Sequence, residues 1–231
     1  MEAVRYALDK GVIVAIASGR SVSGIEPLLL QLGIGRYGVC LNGGLVLCGE
    51  VIYRDTMEEG LVMKIIEQAE RYESQIFLSA AEFNITNGAL SEHLRELVDK
   101  GSLRSDYRYC RDYDEMRAEA RRHKDEIIKV AVKEIDEADF EGLKKALVDM
   151  DLFHVAKSDT YFVDINPKDG NKGKGVAVLA AHLGIPMDRV MCIGDNENDL
   201  EMVGMAGIGV AMGNAQESVK QATEYHTDLC K

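Results

Sequence analysis

A chain of 231 residues can bury a sizeable core, as one large domain or two smaller ones. Hydrophobic residues make up 46% and charged residues 29%, an ordinary globular balance, and no apolar run approaches the ~18 residues of a membrane span. The formal net charge of −12 repels phosphate backbones, so nucleic acid and membrane are not expected partners; a phosphorylated ligand would need a local cation cluster or a metal.

The five cysteines (Cys40, Cys48, Cys110, Cys192, Cys230) show neither a CxxC pair nor zinc spacing. Cys40 and Cys192 sit in apolar runs and read as core thiols. Met1-Glu2-Ala3-Val4-Arg5 shows no basic stretch leading into an apolar one, and a reducing cytoplasm is the expected compartment.

In chain order, residues 2–10 read as a helix stopping at Gly11, and 12–17 as a buried β-branched strand ending at Ser18-Gly19-Arg20. A helix over 22–33 follows, then a strand at Tyr37–Leu41 closed by Asn42-Gly43-Gly44. The middle changes pattern. Helices are predicted at 57–73, near 89–99, and at 112–122 and 136–149. Strands are predicted at 75–79, 83–86 and 127–133, with a hairpin of 152–157 and 161–165. The alternation then resumes: helix 172–183, strand 189–193, helix 198–205, strand 207–211, helix 215–222. This predicts a doubly wound, Rossmann-like parallel α/β sheet, residues 1–54 plus 161–231, interrupted by an α+β domain at 55–160.

Chemistry concentrates at the strand tips. Asp195, in Gly194-Asp195-Asn196-Glu197-Asn198-Asp199, follows a buried strand and could ligate Mg²⁺, which takes one or two carboxylates with waters and phosphate oxygens. Asp199, one helical turn on, could orient Asp195 or a metal-bound water, and Asn198 could donate to a phosphoryl oxygen. Asp and Asn also cap helices for purely local reasons. A lysine at a helix start opposes the macrodipole, a cost that a bound phosphate would offset; Lys168, Lys172 and Lys174 all compete for that role. Ser18, with the N–H groups of Gly19 and Arg20, could form a small phosphate cradle, or be an ordinary cap. Asn42-Gly43 reads as turn chemistry first and a substrate contact second. The histidines form no metal spacing, and His182 reads as packing or surface.

Together these pieces resemble the haloacid dehalogenase (HAD) superfamily, most closely the Cof-type hydrolases with a type IIB cap, over essentially the whole chain. Ser18 in Ala-Ser-Gly-Arg matches motif II. Lys172 matches motif III, which chooses among the three lysines. Gly194–Asp199 matches motif IV, and Val210-Ala211-Met212-Gly213-Asn214-Ala215 the segment after it. The resemblance implies a Mg²⁺-dependent phosphatase acting on a small phosphorylated metabolite such as a sugar phosphate, with a phosphomutase or a silent phosphate-binding relative as alternatives. It implies Ser18 and Lys172 on the phosphoryl group, Gly19, Arg20, Asn42, Gly43, Asn198 and Asn214 near the substrate, and Asp195, supported by Asp199, on the metal.

Family members open with a strand ending in Asp-x-Asp-Gly-Thr, whose first Asp is the nucleophile. That motif does not occur in this sequence, and Asp9, followed by Lys10-Gly11, cannot replace it. The missing strand would lie between those at 12–17 and 189–193. Its absence is expected to leave two open parallel edges and little or no turnover. A shortened gene or fragment is the favoured explanation; closure of the edges, or their use by a second chain in a homodimer, are the others.

Overall fold

The computed structural model describes residues 2–90, 92, 95–96, 106–134, 136–159 and 161–228. The helix expected near 89–99 lies largely outside them, as do His93 and Cys230. Among the described residues no helix is long and apolar enough to cross a membrane.

The chain opens with α1 (Glu2–Asp9), β1 (Ile16–Ala17), α2 (Val22–Leu32) and β2 (Tyr37–Cys40). Gly33 ends α2 in the left-handed conformation, φ 65°, which glycine adopts without steric cost. Next come β3 (Leu45–Cys48) and β4 (Glu50–Arg54), a hairpin that the sequence pattern did not announce. These four strands form one sheet, parallel between β1 and β2 and antiparallel beyond. After the inserted region come α6 (Lys172–His182), β11 (Met191–Gly194), α7 (Leu200–Met205), β12 (Ile208–Ala211), α8 (Glu217–Gln221) and β13 (Tyr225–His226), where β11, β12 and β13 make a second, parallel sheet.

The two sheets end on β1 and β11, which are not hydrogen-bonded to each other. The strand expected over 12–17 pairs through only two residues, Ile16 with Gly38 and Ala17 with Val39. Val12 and Ile13 remain 52% and 41% exposed, and on β11 Met191 and Ile193 remain 58% and 50% exposed. A β-branched run becomes a full strand only where ladder partners meet it, and here one side has none. α6 packs on both sheets: Val176 packs against the cluster that contains Cys192 and Ala211 and against the one that contains Val39 and Val46.

The inserted region contains α3 (Glu59–Arg71), β5 (Gln75–Ser79), β6 (Phe83–Thr86), β7 (Asp106–Tyr109), α4 (Tyr113–Arg122), β8 (Lys129–Lys133), α5 (Glu137–Asp149), β9 (Phe153–Asp159) and β10 (Phe162–Pro167). Its six strands form one sheet in the order β7-β6-β5-β8-β10-β9. Alternation decides its faces. Ile76, Leu78, Val130, Val132, Val163 and Ile165 point to one side and pack with Ile65, Phe140 and Leu143 of α3 and α5. The intervening residues, Phe77, Ser79, Lys129, Ala131, Phe162 and Asp164, line a cavity shared with the core. The sequence placed a boundary at 160/161, but β10 pairs with both β8 and β9, so the change of sheet falls after Pro167. Splitting the hairpin at its turn would have left β9 and β8 without their shared partner.

Candidate active site

A cavity of about 620 Å³ lies between the core strand tips and the inserted sheet. The core contributes Ser18, Gly19, Arg20, Lys172, Asp195, Asn198 and Asp199 to its wall, so most of the residues singled out from sequence meet at one place. Asn42, Gly43 and Asn214 are not on that wall.

Ser18 is at the tip of β1. The true cap of α2 is Ser21, whose side chain accepts from the Gly24 N–H. That frees Ser18 from helix capping, and its Oγ takes the Arg20 N–H at 3.2 Å. The following loop is tied to the 41–43 turn: Leu41 N–H donates to Arg20 O and Asn42 N–H to Ser18 O. Leu41 and Asn42 have φ of 50° and 55°, a left-handed backbone costing about 1–3 kcal/mol for each residue that is not glycine. Those two hydrogen bonds, and the burial of Leu41, hold it there. Gly43, φ 93°, packs on α6 instead of facing the cavity; a Cβ there would fall 2.0 Å from the Asn171 carbonyl oxygen.

Lys172 is the first residue of α6, whose N-cap is Asn171. Its side chain is buried, with Nζ 2.5 Å from Asp199 Oδ1 and 3.2 Å from Asn198 Oδ1. The other two lysines are elsewhere. Lys168 is exposed and meets Asp151, while Lys174 is held by Asp55 at 2.9 Å; the Tyr53 hydroxyl, then Asp55, keep its ammonium above the ordinary lysine range. Of the three lysines, Lys172 alone lines the cavity.

The two aspartates of the turn after β11 make different contacts. Asp199 does cap: its Oδ2 accepts the N–H groups of Asp195 and Asn196, at 3.0 and 3.1 Å, while Oδ1 faces Lys172. The turn is so tight that a Cβ on Gly194 would lie 2.5 Å from the Asp199 Cβ. Asp195 instead sends its carboxylate toward the cavity, with Asn214 Nδ2 at 3.3 Å from Oδ2. Beneath the turn, burial and then the Asp199 charge push the Cys192 thiol up to about 11; burial pushes Cys40 up to about 12, and both behave as core thiols. Asp9, at the end of α1, is exposed and outside the site.

A buried polar chain joins the two regions under the cavity. Asn198 Nδ2 donates to Asn42 Oδ1 (3.3 Å), Asn42 Nδ2 to Asp164 Oδ2 (2.8 Å), and Lys129 Nζ to Asp164 Oδ1 (3.0 Å). Asn166 Nδ2 closes on Leu41 O. Sequence reading missed Lys129, Asp164 and Asn166. Their signal was polar residues at alternate positions of two otherwise apolar strands, the mark of a second face that is not solvent. The inserted domain also grips the turn: Lys144 Nζ is 2.9 Å from Glu197 Oε2, which accepts the Lys157 N–H, and His154 pairs with Glu201 at 2.8 Å.

The model of the haloacid dehalogenase-like hydrolase family matches residues 1–230. The chain belongs to that family. Among the relatives of this HAD-like hydrolase is 5-amino-6-(5-phospho-D-ribitylamino)uracil phosphatase YcsE of Bacillus subtilis, 25% identical, with 98% of this chain and 80% of that protein covered. A phosphoglycolate phosphatase of Methanobrevibacter smithii is 28% identical, covering 100% and 82%. In fold, the HAD-like hydrolase resembles a haloacid dehalogenase-like hydrolase from B. subtilis (TM-score 0.85, 20% identity, 98% and 86% covered). It also resembles the HAD subclass IIB sugar phosphatase BT4131 (TM-score 0.81, 24% identity, 98% and 84% covered). The family resemblance is thus to phosphoric monoester hydrolases, with the capped fold of subclass IIB.

Among the described residues no group of three or more His, Cys, Asp or Glu side chains converges as a ready-made metal site. Asp195 offers one carboxylate, which suits Mg²⁺ only if phosphate and water oxygens complete its shell.

Proposed function

We propose that the HAD-like hydrolase is built around a Mg²⁺-assisted site for the phosphoryl group of a small phosphorylated metabolite such as a sugar phosphate. The observation that carries this reading is the convergence of Ser18, Lys172 and Asp195 on one cavity from two strand tips and a helix start. Ser18 would donate to one phosphoryl oxygen and Lys172 would neutralise another, its ammonium already aimed by Asp199. Asp195 would hold the metal, which when bound offsets phosphoryl charge. The inserted domain would cover the bound ester and exclude water.

Hydrolysis through a covalent aspartyl intermediate needs a carboxylate placed to attack phosphorus. No Asp-x-Asp-Gly-Thr segment supplies one in this sequence, so we expect the 231-residue chain to bind phosphate without turning over its esters. Calorimetric titration with inorganic phosphate, with and without Mg²⁺, tests the site: binding that strengthens with Mg²⁺ is expected, and no binding under either condition would remove the reading. An assay with a sugar phosphate and an aryl phosphate tests the chemistry, and sustained turnover would show that the missing Asp is dispensable.

A second reading, a phosphate-binding relative that dimerises through its sheet edges, is favoured by the exposed apolar side chains of β11. Sedimentation over a hundredfold range of concentration separates it from a monomer.

A further inference from the structure

The face that the inserted sheet turns to the cavity has an order that strand register makes explicit. Tyr107, Asn84, Ser79 and Lys129 lie side by side on β7, β6, β5 and β8. One rung further along, Phe77, Ala131 and Asp164 lie side by side on β5, β8 and β10. All seven line the cavity. A polar row therefore runs next to a partly aromatic one, and Phe162 continues the apolar side, its ring centroid 6.0 Å from that of Phe77.

Lys129 and Asp164 stand where these rows meet, 8% and 3% exposed. An ion pair withdrawn this far from water stabilises little by itself, because desolvation offsets most of the attraction. Packing would be served as well by two apolar side chains. The pair also sits against the phosphate cradle: a Cβ on Gly19 would be 3.2 Å from Asp164 Oδ2 and 3.4 Å from Lys129 Nζ. The glycine beside Ser18 is what lets the inserted sheet come this close. Lys129 uses one of its three N–H donors on Asp164, and Asp164, with two acceptor sites on each oxygen, uses one of each on Lys129 and Asn42. Donors and acceptors are left side by side.

We infer that Lys129 and Asp164 are specificity-determining residues that bind adjacent hydroxyl groups on the carbon skeleton of the phosphate ester. Lys129 donates to one hydroxyl oxygen and Asp164 accepts the hydrogen of the next. Ser79 and Asn84 extend the polar row, and Phe77 and Phe162 give the carbon atoms an apolar wall. Neutral vicinal hydroxyls suit this pair better than a second anionic group, because Asp164 would repel an anion. A flat aryl ester would leave both buried charges without their ligand partners, a loss worth about tenfold or more in affinity. This inference rests on the phosphate site proposed above.

Calorimetry on the full chain in Mg²⁺, with inorganic phosphate, phenyl phosphate and glucose 6-phosphate as probes, tests it. Glucose 6-phosphate is expected to bind about tenfold more tightly than phenyl phosphate, and Lys129→Met to abolish that preference. Ser79→Ala, which leaves the ion pair intact, is expected to reduce it about threefold and carries the test if Lys129→Met does not fold. Equal affinities of the two esters in the unaltered protein, or a preference unchanged in folded Lys129→Met or in Ser79→Ala, would overturn the assignment. Phosphate binding without ester preference overturns this inference alone, whereas failure of all three probes to bind overturns the phosphate site and the inference with it.

Discussion

The inserted domain and the core solve the same problem, covering a sheet with helices, with different success. In the inserted domain β8 is paired on both sides, by β5 and β10, and one continuous apolar cluster spans α3, α5 and the strands. In the core, β1 and β11 are end strands of two separate sheets, and the buried side chains fall into separate, smaller clusters. Yet the core holds Ser18, Lys172 and Asp195. In this chain Ser18 and Asp195 come from two separate sheets, so their relative placement depends on polar links such as Asn198 to Asn42 and Lys172 to Asp199.

The sharpest way to test that dependence is to cut the link. Lys172→Met leaves the Asp199 carboxylate buried beside an apolar side chain, and urea unfolding should report a loss of about 3–5 kcal/mol, together with loss of phosphate binding. A loss under 1 kcal/mol would mean that water already reaches this pair.

Matched strand substitutions compare the two regions directly. Ile165→Ala in β10, fully buried, should cost about 2–5 kcal/mol. Ile193→Ala in β11, half exposed, should cost less than about 1 kcal/mol. Equal costs would show that something covers β11 in solution, and the comparison would then need a second chain. In that case Ile193→Lys should lower the sedimentation coefficient at high protein concentration, since an edge lysine opposes strand addition.

The smallest effect is a pH dependence at the contact between the two regions. Burial would raise the Glu201 carboxyl, but the His154 hydrogen bond, with His154 and Lys172 nearby, holds it below the usual carboxylate range. A carboxyl depressed in the folded state stabilises above its unfolded value and loses that contribution as pH falls through its folded value. Thermal unfolding of Glu201→Gln should therefore be less sensitive to acid below about pH 4.5 than that of the unaltered protein, by a margin under about 1 kcal/mol given the part-exposed pair. Identical acid profiles would assign the acid sensitivity elsewhere.

Much of the core was legible because its signals are local. The Gly194–Asp199 turn, the glycine stop after α2 and the alternation of helix and strand are written within a few residues of one another, and backbone sterics allow few other outcomes. Local signals also named the hairpin of β5 and β6 and that of β9 and β10. They did not reveal β7 or β13, since Asp106–Tyr109 and Tyr225–His226 are short, exposed edges whose identity comes from their neighbours.

The sequence by itself singled out Ser18 and Asp195 as candidates for a phosphate-type site, because turn and capping chemistry act over a few residues, and Lys172 through its match to a family motif. Only the tertiary structure decided that Asp199 braces Lys172 and the turn, that Gly43 serves packing, and that Lys129 and Asp164 stand beside Gly19. Those are contacts between residues as far apart as 42 and 164. They follow from the pleat and register of a six-stranded sheet, which no stretch of chain specifies until its partner strands are in place.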